Sequence, residues 1–94
     1  MFSWDTKKAI SNYEKHAISF EEAATVFADP EGLDFDDPAH SLVEERFLRL
    51  GMSLAERVLV VVYTIRLRSD GKETIRIISA RQASRKERQA YTRL

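Results

Sequence analysis

Three arginines near a sharp turn, together with two histidines, are the residues of this chain best suited to handle a phosphate ester. Arg66 closes the run "RVLVVVYTIR", and Arg76 and Arg81 lie in "IRIISARQ", beyond Ser69-Asp70-Gly71-Lys72. Asp-Gly between two stretches rich in Val and Ile is a hairpin signal, so the two runs should pair antiparallel. Side chains alternate along strands. The simple register therefore puts Thr64, Arg66, Arg76 and Ile78 on one face, and Tyr63, Ile65, Ser79 and Arg81 on the other. Arg66 and Arg76 then lie side by side, which is unfavourable unless an anion or an acid sits between them. An anion site is one reading. Pairing of each arginine with an acid from the N-terminal half, or exposure on a solvated face, is the other.

The histidines are His16 in "YEKHAISF" and His40 in "DDPAHSLVEERF". Histidine is the side chain that exchanges protons near neutrality, so either could serve a ribose hydroxyl or a leaving oxygen. His16 falls at the end of a helical pattern, where histidine commonly serves the helix dipole, and a structural role is the preferred reading of it taken alone. His40 lies in a loop beside Ser41 and ahead of Glu44 and Arg46, a grouping that looks more like a site. Tyr63 and Tyr91 could stack on a base, although packing in the core is the safer reading of each. The adjacent acids Asp36-Asp37 and Glu44-Glu45 are poor Mg²⁺ ligands if they lie in strands, because neighbours point to opposite faces. The chain has no Cys, no nucleotide-binding glycine loop and no serine elbow, so neither a metal nor a cofactor is expected.

The elements that must position these groups follow from periodicity. Phe2 to Trp4 reads as a short edge strand. Asp5 is a plausible N-cap for a helix over 6–15, with Ile10, Tyr13 and Ala17 at helical spacing. Ser19-Phe20-Glu21-Glu22 is a capping box between Ile18 and Ala23 at the staple positions, and it opens a second helix that stops at Asp29-Pro30-Glu31-Gly32. Leu33-Asp34-Phe35-Asp36 alternates as a half-buried strand should, and Phe47 to Leu50 reads as a strand entering a turn at Gly51. Arg57 to Leu67 and Thr74 to Ala80 form the hairpin. Ser84-Arg85-Lys86-Glu87 is a second capping box, opening a last helix to about Arg93. The expected architecture is α+β: N-terminal helices, an antiparallel β-sheet and a C-terminal helix, with all helices on one face.

Ninety-four residues make one domain, and a chain of this length buries somewhat more than ~60% of its unfolded surface. A 44% hydrophobic content is that of a folded chain, while 32% charged residues exceed the usual ~25% and imply a heavily charged surface. The absence of Cys fits a reducing compartment. The longest apolar run, Val58 to Val62, is five residues, far short of the ~18 that span a bilayer, and no signal-peptide pattern opens the chain. A cytoplasmic protein without a membrane role is expected. The net charge of zero hides a dipole: residues 1–45 hold three lysines against eleven acids, and residues 46–94 hold twelve basic residues against four acids. Such asymmetry points to a polyanion or an acidic partner for the basic half, or to mutual attraction of the halves within the fold.

Several separated segments resemble one family. "W-D-x-x-K" from Trp4, "K-H-x-x-S-F-E-E-A" from Lys15, "H-S" at His40, "E-x-R" at Glu44, "G-M-S" at Gly51 and "R-I-I-S-A-R" from Arg76 stand in the order found in BrnT toxins of bacterial type II toxin–antitoxin systems, themselves distantly similar to RelE ribonucleases. One departure is Ala17, where the family usually has Gly. The resemblance implies a compact RelE-like α+β toxin that cleaves RNA, with messenger RNA on or off the ribosome as substrate, and blocks translation. It also implies neutralisation by a BrnA-like antitoxin, in a heterotetramer held through antitoxin dimerisation, with DNA binding left to the antitoxin. Metal-independent cleavage needs a base for the 2′-hydroxyl, an acid for the 5′-oxygen and cations for the phosphate. His40 with Glu44 is the expected proton-transfer pair, and Arg66, Arg76 and Arg81 the phosphate ligands, with His16 and Tyr63 as further candidates. A non-catalytic module that binds RNA or antitoxin is the competing expectation.

Overall fold

The computed structural model describes residues 1–38 and 44–92. Its elements are β1 (Phe2–Ser3), α1 (Thr6–His16), α2 (Phe20–Thr25) running into a 3₁₀ turn (Val26–Ala28), β2 (Leu33–Asp36), β3 (Phe47–Met52), β4 (Val58–Leu67), β5 (Glu73–Gln82) and α3 (Arg85–Thr92). The five strands form one sheet in the order β1-β5-β4-β3-β2. All neighbours are antiparallel except β1, which adds to β5 in parallel through Phe2 and Ser3.

The caps form largely as their residue types require. Asp5 accepts the Lys8 N–H at 3.1 Å, and Ser19 accepts that of Glu22 at 3.0 Å. Glu22 does not complete its box. Its carboxylate turns instead to Arg57 and to the Ser53 hydroxyl, tying α2 to the β3–β4 turn. The Ser84/Glu87 box is complete: Glu87 N–H donates to Ser84 Oγ at 3.2 Å, and Ser84 N–H donates to Glu87 Oε1 at 2.8 Å. Between α1 and α2 the chain reverses at Ala17, which adopts the left-handed conformation (φ 56°) while its N–H closes on Tyr13 O at 2.8 Å.

One face of the sheet carries α1 and α2. Ile18, Phe20, Ala23 and Val26 pack on Leu59, Val61, Ile77 and Ala80, all but excluded from water, each larger apolar side chain contributing roughly 1.5–3 kcal/mol of transfer free energy. Asn12, buried on α1, completes the edge of β5 beyond the short β1. Its amide donates to Ala80 O at 2.9 Å and Ile18 O at 3.1 Å, and its oxygen accepts the Ala80 N–H at 3.0 Å. The expectation of helices on a single face holds for these two only. α3 docks on the opposite face, where Tyr91 joins Leu33, Leu48, Leu50, Val58, Val60 and Ala83. The Tyr91 hydroxyl donates to Asp29 Oδ2 at 2.5 Å, and the same carboxylate oxygen accepts the Met52 N–H at 2.8 Å. The reason is compositional: Tyr91 is the one large apolar side chain that α3 offers, and the apolar outer ends of β3 and β4 would otherwise face water.

The hairpin register departs from the simple one. Tyr63 pairs with Ile77 and Thr64 with Arg76, but Val62 pairs with Ser79, so one extra residue sits in β5 at Ile78–Ser79. This bulge reverses the alternation of everything after it.

Candidate functional site

Because of the bulge, the three arginines share a face. Val60 pairs with Arg81, Thr64 with Arg76 and Arg66 with Thr74, so all three point away from α1 and α2. The simple register puts Arg81 and Ser79 with Tyr63, and the bulge corrects that placement. Arg66 and Arg76 are diagonal neighbours rather than direct partners.

Their electrostatic states differ. Arg66 Nη2 approaches both Glu44 oxygens at 3.4 Å, an exposed and loose pair. Arg81 holds Glu87 with two prongs, at 2.7 and 2.9 Å. Those hydrogen bonds are the main reason that the Glu87 carboxyl drops from 4.5 to about 2 and that the Arg81 guanidinium is raised. Arg76 is half-buried and has no acidic or hydrogen-bonding side-chain partner among the described residues.

A cleft of about 420 Å³ opens on this face beside Arg81, lined by Asp37, Arg46, Leu48, Val62, Ile78, Ser79 and Arg81, so that of the three arginines it takes in Arg81 and not Arg66 or Arg76. Residues 44–46 prolong the line of β3 along β4. Asp37 N–H donates to Arg46 O at 2.9 Å, and the buried Thr64 hydroxyl donates to Glu45 O at 2.6 Å, which holds Glu44 beside Arg66. Arg46, which the sequence groups with His40, Ser41 and Glu44, is one of the lining residues, although it is not among the expected phosphate ligands. The available signal is the alternation Arg46, Leu48, Leu50, which places it on the outer face once β3 is extended by one residue.

Tyr63 is not brought to this cleft. It lies on the helix-bearing face, 7% exposed, with its hydroxyl donating to Asp34 Oδ1 at 2.7 Å and its ring packed edge-on against Phe27. Burial, and then the neighbouring Asp34 carboxylate, push its ionisation far above the usual phenol range. Asp34 in turn is bound by Arg49 at 2.6 Å, so this group is structural. His16, the last residue of α1, sits on a second and smaller cleft of about 230 Å³ with Lys8, Ser11, Asn12, Lys15, Ile78 and Ser79. His40 lies outside the described residues.

The attraction between the acidic and basic halves is realised in part. Glu22–Arg57, Asp34–Arg49 and Glu44–Arg66 each join an acid of the first half to an arginine of the second. Several cations have no carboxylate among the described residues, and they include Arg76, on the outer face, and Lys8, Lys15 and His16 at the edge of β5. Chemically, the outer face offers guanidinium groups for an anion, with Glu44 and Asp37 as carboxylates that could take or give a proton. Among the described residues no three His, Cys, Asp or Glu side chains gather closely enough to hold a metal ion.

A family model described as the ribonuclease toxin BrnT of type II toxin–antitoxin systems matches residues 4–87. The crystal structure of the Brucella abortus ribonuclease toxin BrnT is similar to this chain with a TM-score of 0.67 at 23% identity, over 90% of this chain and 99% of that one. That likeness is one of fold. No curated protein matches the chain.

Proposed function

The chain belongs to the BrnT family of ribonuclease toxins of type II toxin–antitoxin systems, and on that premise we propose that it is a RelE-like endoribonuclease whose outer sheet face holds the scissile phosphate. The observation that carries this reading is that Arg66, Arg76 and Arg81 share the outer face, Arg66 and Arg76 as diagonal neighbours, with Arg76 left without a counter-ion among the described residues. A guanidinium fork suits a phosphate that is gaining charge, and it acts without a metal. In the proposed reaction the ribose 2′-hydroxyl attacks the adjacent phosphorus, losing its proton to Glu44 or His40, and the 5′-oxygen leaves with a proton from the other of the two. Arg76 and Arg66 stabilise the charge on the non-bridging oxygens. Glu44, already beside Arg66, would stand between the cations and the attacking hydroxyl.

The biological reading that goes with this chemistry is cleavage of messenger RNA in the cytoplasm and arrest of translation. A BrnA-like antitoxin, itself dimeric and responsible for DNA binding, would join two toxins in a heterotetramer and cover the face.

The test is cleavage of total RNA by the purified protein in EDTA. Wild type should cut, and Arg76→Ala, Arg66→Ala and His40→Ala should each lose activity, by ~10²–10³ for an oxyanion-type donor. A second reading, a binding module without catalysis, is favoured by the carboxylates that occupy Arg66 and Arg81. Absence of cleavage by wild type, with RNA still bound, would select it.

A further inference from the structure

Resting on the reading of the outer face as an RNA site, we infer that the cleft at the edge of β5, between Lys8, Lys15 and His16, is a second subsite that holds a neighbouring phosphate of the same RNA strand. Three observations carry it. The two lysines and the histidine gather around one cleft whose lining includes no acid, and none of them has a side-chain partner among the described residues. Cations brought together without a counter-ion are unfavourable in the absence of an anion, and lysine is a point-charge ligand for phosphate. Their arrangement follows from the helix: Lys8, Ser11, Asn12 and Lys15 recur at three- and four-residue spacing, so α1 presents one polar stripe to the sheet edge.

The second observation is continuity. Ile78 and Ser79 line this cleft and the arginine-lined one alike, so the bulge is where the two meet. The third is that the edge of β5 at this point is not covered by another strand among the described residues. β1 pairs only as far as Arg76, and Asn12 takes up Ala80. A single strand leaving the outer face can therefore reach the lysines of α1 across Ile78 and Ser79, which line both clefts. A carboxylate-bearing protein segment is a different occupant, and titration with RNA separates the two.

The probe is a fluorescent single-stranded RNA oligonucleotide methylated at every 2′-oxygen, which cannot be cut, titrated with the full-length protein at several salt concentrations. Lys8→Gln combined with Lys15→Gln should weaken binding about tenfold at low salt, the lower end for hydrogen bonds to charged groups. It should also lower the slope of log K against log salt by about 0.7 for each phosphate no longer neutralised. Arginine at both positions should restore the slope. Both side chains are exposed and make no side-chain hydrogen bond, so the variants are expected to melt with wild type, which circular dichroism checks. Unchanged affinity and slope in the Gln variant, with Arg76→Gln clearly weakened, overturn the subsite and leave the outer face standing. Loss in the lysine variant with Arg76→Gln binding like wild type keeps the subsite and removes the arginine face. No binding by wild type overturns both.

Discussion

Arg81 and Glu87 clasp each other across the junction of β5 and α3, two guanidinium nitrogens on two carboxylate oxygens at 2.7 and 2.9 Å. The same carboxylate caps α3 through Ser84 N–H, so one side chain anchors the last helix and occupies an arginine of the proposed RNA face. The Glu87 carboxyl is lowered from 4.5 to about 2, chiefly by Arg81. A carboxyl depressed in the folded state contributes stability that is present above 4.5 and is lost as the pH falls toward 2. The difference in melting temperature between wild type and Glu87→Gln should accordingly narrow over that interval, and a pH-independent difference would refute the pairing. At neutral pH Glu87→Gln removes the charge that Arg81 holds, while the amide oxygen can still accept from Ser84 N–H as the capping box allows. The substitution also releases Arg81, so its affinity for uncleavable RNA should rise while its stability falls.

Ala17 is the second test. A residue with a Cβ in the left-handed region costs about 1–2 kcal/mol, and glycine at such a place removes that cost while loosening the unfolded chain by ~0.4–1 kcal/mol. Ala17→Gly should stabilise the protein by about 0.5–1 kcal/mol, read as a rise of a few degrees in melting temperature. A lowered melting temperature would mean that the reversal between α1 and α2 is not strained at Ala17.

Asn12→Ala removes a side chain that serves Ala80 N–H, Ala80 O and Ile18 O together. Buried groups left without partners cost ~1–3 kcal/mol each where water cannot reach them. The variant should lose roughly 2–4 kcal/mol in denaturant unfolding, and the Ala80 amide should exchange its hydrogen with solvent far sooner than in wild type. Undiminished protection of that amide would show that another element closes the edge of β5.

The parts of this architecture legible in the sequence are those set by residue type within a few positions. Asp70-Gly71 marks the hairpin, Asp5, Ser19 and Ser84 mark three helix starts, and the alternation of Leu33 to Asp36 marks β2. What stays hidden depends on distant partners. Glu22 has the spacing of a capping residue, but Arg57, 35 positions away, competes for it more strongly. The parallel pairing of β1 and the docking of α3 on the outer face are decided by which sheet surface remains to be covered, which no local pattern states. Of the site, the arginines are legible as a charge pattern. That Arg81 joins the other two is not, since nothing in the residue types of Ile78-Ser79 announces an inserted residue.

That insertion makes the phase of β5 indifferent to the loss of one particular residue. Removing Ile78 would take out the residue that has no partner on β4, so Ser79, Ala80 and Arg81 would keep Val62, Val61 and Val60 opposite them, and Arg81 would stay on the outer face.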